Sequence, residues 1–120
     1  MRFPSLSGRR LSAGAALLAG ALVILFPGLV RAQNATAKID NFTFTPARLI
    51  VKAGTTVTWR NEDDIPHTVT SSTGLFKSKT LDTDESFSFT FTEPGTYEYF
   101  CSLHPRMTAT IVVEPGNAVK

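Results

Sequence analysis

Residues 86–92 read SFSFTFT, with phenylalanine at every second position. A period of two puts Phe87, Phe89 and Phe91 on one face of an extended strand and the hydroxyl side chains on the other. A helix would scatter the same rings around its circumference, so the segment reads as a strand with one buried face. Its neighbours agree. TAKIDNFTF (36–44) is rich in β-formers, with Phe42 and Phe44 assigned to one face, and Pro46 interrupts it. RLIVKAG (48–54) ends in a glycine turn. TTVTWRN (55–61) offers Val57 and Trp59 to one side and Thr58 and Arg60 to the other. HTVTS (67–71), YEYFC (97–101) and TATIVVE (108–114) complete the set, and Ala109, Ile111 and Val113 share a face. EPGT (93–96) has turn chemistry, since Pro94 presets φ and Gly95 is conformationally free. About seven to eight short strands with Gly and Pro turns imply an all-β, antiparallel two-sheet sandwich. Residues 72–85 fit neither period and are read as a surface excursion anchored by Leu75, Phe76 and Leu81.

The first 32 residues follow a different logic. Arg2, Arg9 and Arg10 precede an uncharged run, 11–30, and Val30 and Ala32 flank Arg31. A basic start, an apolar run and a small-residue exit predict a secretory signal, 1–32, cleaved after Ala32, with a working domain over 33–120. The run is also long enough to span a bilayer, but Gly14, Gly20, Pro27 and Gly28 weaken a spanning helix. All four arginines of this segment leave with it. The mature chain then has eight basic against ten acidic side chains, a net charge of −2. The basic balance of the precursor therefore belongs to the signal. No basic cluster in 33–120 suits nucleic acid.

The remaining 88 residues can bury a core but hold one cysteine, Cys101, so no internal disulfide is available. A lone thiol in an oxidising compartment is open to oxidation unless something occupies it. Alone, Cys101 would read as a small buried hydrophobe. It begins CSLHPRM (101–107), however, with His104 and Met107 at equal steps behind it. The other mature histidine is His67. Every mature Cys, His and Met thus belongs to one set: two imidazoles, a thiolate and a thioether, the ligands of a blue-copper electron-transfer site. Cys101 ends one strand and Met107 begins the next, so a tight loop converges three donors. Pro105 stiffens that loop, and His67, beside Pro66, has to come from the facing wall. Met107 is equally readable as core packing. Glu62, Asp63 and Asp64 are read as a solvated turn rather than hard-metal ligands. Tyr97 is placed to act as a tyrosine corner.

Three stretches make the resemblance specific: Pro66-His67, EPGTYEYFC (93–101) and C-x-x-H-P-x-M (101–107). The chain resembles the cupredoxins, and among them the amicyanin group, which has this short ligand spacing. The resemblance implies a Greek-key sandwich with one type 1 copper near one end, bound by His67, Cys101, His104 and Met107. It also implies a periplasmic electron carrier, not an enzyme, acting as a monomer away from membranes once the signal is removed. Its partners would be transient redox proteins, with a periplasmic dehydrogenase as donor and a cytochrome c as acceptor. The alternative is a periplasmic copper-delivery protein with the same ligands. Thr68 stands where amicyanins often carry an asparagine that bridges to the cysteine loop, and a hydroxyl there would make a similar bond with shorter reach.

Overall fold

The computed structural model describes residues 33–116 and, apart from them, Arg2. The expected signal segment, 1–32, and its expected cleavage site lie outside the contiguous described region. Eight strands follow: β1 Gln33–Asp40, β2 Thr43–Thr45, β3 Arg48–Lys52, β4 Thr55–Asn61, β5 Thr70–Ser71, β6 Ser86–Phe91, β7 Gly95–Cys101 and β8 His104–Glu114. They form two four-stranded sheets, ordered β2-β1-β4-β6 and β3-β8-β7-β5. Among the described residues no helix is long and apolar enough to cross a membrane.

The all-β sandwich is as expected, but its sheets are mixed. β1 runs parallel to β4, and β3 runs parallel to β8. Parallel neighbours need a crossover rather than a hairpin. Here the chain leaves β1, makes the short edge strand β2, passes through the opposite sheet as β3 and only then returns as β4. A period-two pattern reports which face a side chain occupies. It does not report strand direction, which is why this feature was not visible in the sequence.

Two local expectations change. The segment 36–44 is broken, because Asn41 and Phe42 adopt left-handed φ values of 49° and 57°. Phe44 therefore enters the core while Phe42 turns outward, 47% exposed. In 67–71 only Thr70 and Ser71 form a strand, and His67 makes an isolated bridge to Leu81.

Trp59 sits between the sheets. Its ring lies 5.4 Å from Tyr99 of the facing sheet and 5.8 Å from Phe87 of its own. Phe91 is buried, and Phe87 and Phe89 pack half-buried against the core. The excursion 72–85 supplies two further core groups, Phe76 and Leu81, whereas Leu75 stays exposed. Phe76 stacks on Trp59 at 5.7 Å. The excursion is strapped to the chain around His67: the Leu81 amide donates to the His67 carbonyl at 2.7 Å, and the Ser78 amide to the Val69 carbonyl at 2.8 Å. At the other end of the sandwich, the Tyr97 hydroxyl donates to the Glu93 carbonyl at 2.6 Å, closing the expected corner. Burial pushes the Tyr99 phenol up to about 12, so it stays neutral in the core.

Candidate metal centre

The loop between β7 and β8 is not a regular hairpin. Phe100 faces Thr108, but the next residue on β7, Cys101, faces His104. Pro105, Arg106 and Met107 therefore have no opposite residue, and the chain bulges there. A bulge re-aims side chains that a regular ladder would alternate. It brings the ring of His104 back over Cys101, with His104 Nδ1 3.6 Å from Cys101 Sγ. His67 reaches the same sulfur from the opposite wall, with Nδ1 at 3.7 Å.

One donor atom each from His67, Cys101 and His104 lies within 4.8 Å of the others. Ligands about 2.0–2.3 Å from a shared ion, opened to roughly trigonal angles, span sulfur–nitrogen separations of this size. The donor set and its sulfur–nitrogen separations therefore suit a borderline-soft ion. His67 and Cys101 are fully buried and His104 is half-buried. Met107 is also buried, in the same apolar cluster as Cys101. The structure thus brings the three nitrogen and sulfur donors together and buries Met107 three residues beyond His104 on the same strand.

Thr68 makes the bridge expected of it. Its backbone N–H points at Cys101 Sγ at 3.3 Å, and its hydroxyl accepts from the Ser102 amide at 2.7 Å. The same hydroxyl lies 2.8 Å from Ser102 Oγ and 3.1 Å from Thr70 Oγ1. The amide donor stabilises negative charge on sulfur, and the hydroxyl ties the cysteine loop to the His67 wall. Thr68→Ala should keep the first contact and lose the others, at a cost of about 1–2 kcal/mol. For a domain of this size each kcal/mol lowers Tm by roughly 4–8 °C. Thermal unfolding of the apoprotein measures this, and Thr68→Ser should recover most of the loss.

The acidic run is not the solvated turn expected of it. Glu62 and Asp64 are exposed, but Asp63 is buried. Asp63 Oδ2 accepts from His67 Nε2 at 2.9 Å and from the Phe42 amide at 3.0 Å, while Oδ1 accepts from the Asp64 amide at 2.9 Å. The His67 imidazole and then the Phe42 amide hold its carboxyl at about 2, below the usual range. Three like residues in a row gave no sign of which one turns inward. Asn61 ends β4, where the alternation of the strand assigns it no role. It is fully buried, and its amide donates to the carbonyls of Ile65 and Leu81, both at 2.9 Å. It thereby shapes the turn that delivers Pro66 and His67.

Phe42, Leu103, Pro66, Pro105 and Arg106 make the exposed rim. The Phe42 ring meets both imidazoles edge-on, with centroids 5.5 Å from His67 and 4.9 Å from His104.

Residues 14–113 match the family described as a cupredoxin-like domain. The chain is 36% identical to amicyanin-alpha of Methylorubrum extorquens over 108 residues, covering 86% of this chain and 89% of that one. Among solved structures, an amicyanin variant in its Cu(I) form superposes with a TM-score of 0.64 at 35% identity, covering 68% of this chain and 82% of that one. A purple cupredoxin from Nitrosopumilus maritimus superposes with a TM-score of 0.63 at 35% identity, covering 67% of this chain and 99% of the other.

Proposed function

Because the chain belongs to the cupredoxin-like family and is most like the amicyanins, we propose that it is a periplasmic one-electron carrier whose copper is held by His67, Cys101, His104 and Met107. The convergence of two imidazoles and one thiol within 4.8 Å carries this reading. Bound copper supplies the Cu(II)/Cu(I) couple, in a donor set that serves both oxidation states. The chain's own residues do the rest. Cys101 presents sulfur from a buried strand end, with the Thr68 N–H aimed at it. His67 is fixed from behind by Asp63 and covered by Phe42. His104, half-buried, is the donor nearest solvent and the natural port for an electron. The exposed Leu103, Pro105 and Pro66 around it suit a small, short-lived docking contact. Arg106 adds one cation to that rim. A periplasmic dehydrogenase as donor and a c-type cytochrome as acceptor fit this role. Export would require residues 1–32 to be the removed signal and 33–120 the working domain.

Full burial of Cys101 and His67 favours a retained ion over a delivered one. Titration of the purified protein with Cu(II) should give an intense blue colour at one equivalent that a reductant bleaches reversibly. A colourless, freely exchanging complex would favour copper delivery instead.

Met107→Gln is expected to lower the reduction potential, because an amide oxygen favours Cu(II) over Cu(I). Each tenfold change in the ratio of the two affinities moves a one-electron potential by about 59 mV. Redox titration of the two proteins measures it, and an unchanged potential removes Met107 from the ligand set.

A further inference from the structure

We propose that Asp63 is a positioning residue: through a single oxygen, Oδ2, it fixes both the ring of His67 and the Phe42 lid that covers the two imidazoles. The proposal rests on His67 being a copper ligand, and on geometry alone for the rest.

Asp63 cannot swing away. Its own N–H donates to Asn61 Oδ1 at 2.9 Å, and its carbonyl accepts from the Thr83 hydroxyl at 2.7 Å. Its carboxylate then receives three N–H groups, from His67, Phe42 and Asp64. A carboxylate ringed by donors acts as acceptor only, so His67 Nε2 must carry the proton of its bond. The other ring nitrogen, Nδ1, keeps its lone pair and lies 3.7 Å from Cys101 Sγ, on the side where a metal would bind. A carboxylate behind an imidazole both orients the ring and raises its basicity as a ligand.

The second bond of Oδ2 links this ligand to the lid. Phe42 sits at φ 57°, a left-handed conformation that side chains other than glycine adopt at a cost. Its amide is held there by Oδ2 at 3.0 Å. In that pose its ring, though 47% exposed, touches the edges of both imidazoles. One oxygen therefore sets the direction of the buried ligand and the cover over the half-buried one. Glu62 and Asp64, on either side of Asp63, are exposed and do neither.

The test begins with the metal-free protein. In the parent, the His67 Nε2–H should give a downfield, slowly exchanging proton resonance, and Phe42 ring protons should show contacts to both His67 and His104. In Asp63→Asn that resonance should move upfield and exchange faster, and the Phe42–His104 contacts should weaken. Cu(II) affinity should fall roughly 10–100-fold. The reduction potential should rise, because a negative charge behind the ligand favours Cu(II). Phe42→Ala retains the backbone N–H and should keep the His67 proton protected. Asp63→Asn with protection, lid contacts and affinity all as in the parent overturns the proposal, and so does loss of protection in Phe42→Ala alone. If Asp63→Asn fails to fold, the parent decides: a rapidly exchanging His67 Nε2–H overturns it. A parent protein that never turns blue with Cu(II) removes the copper reading instead, while a blue parent with an unprotected His67 removes only this one.

Discussion

Cys101→Ala should yield a folded protein that no longer turns blue with Cu(II). The intense visible band of such a site needs a thiolate, and the chain has one cysteine. No neighbouring sulfur can stand in at the same place, since the thioether of Met107 cannot ionise. Loss of colour should therefore be complete rather than partial. The fold should survive. Replacing a buried thiol by a methyl group leaves a small void and frees the Thr68 N–H from Sγ, which together cost about 1–3 kcal/mol. Domains of this size usually hold about 5–15 kcal/mol. Absorption spectra, bound copper and circular dichroism of the variant decide the matter together. A blue Cys101→Ala protein would place the metal elsewhere and end the proposed reading.

Trp59→Ala should have the largest effect on stability, about 3–5 kcal/mol, or a fall in Tm on the order of 15–30 °C. Trp59 is fully buried and meets Tyr99 across the sandwich, Phe87 and Phe91 in its own sheet, and Phe76 of the excursion. Its loss opens a cavity that no single neighbour can fill. Because the excursion is hydrogen-bonded to the segment carrying His67, the damage should reach the metal centre. The variant is expected to bind Cu(II) more weakly than the parent and still turn blue, since all four proposed ligands remain. Trp59→Phe should cost far less. Thermal unfolding measured with and without copper separates the two effects, and a variant within 1 kcal/mol of the parent would show that the core repacks.

Much of the molecule could be read from local pattern. The alternation at 86–91 located the inward phenylalanines, although only Phe91 is fully buried because β6 is an edge strand. The spacing of Cys101, His104 and Met107 was legible because one short loop encodes it. His67 was harder, since nothing nearby in sequence says that it crosses to the same sulfur. Asp63 could not be read at all. Its chemistry matches that of Glu62 and Asp64, and what separates them is the turn that Asn61 shapes through Ile65 and Leu81. Phe42 and Phe44 share one face only if the strand runs unbroken through 36–44. Two consecutive left-handed residues break the strand and turn Phe42 out to the rim.

The parallel pairing of β3 with β8 joins distant parts of the chain. Arg48 lies beside Thr110 and Lys52 beside Glu114, so early and late parts of the chain must meet before that sheet exists. Contacts so distant in sequence form late, after the entropy of closing a long loop has been overcome. The loop from Cys101 to Met107 hangs from the same closing strand, while His67 and Asp63 belong to the middle of the chain. A partly folded chain therefore offers the local donors of that loop without the imidazole of His67. The buried imidazole joins them only when the two sheets close, so the full proposed donor set is a property of the finished sandwich and not of the loop alone.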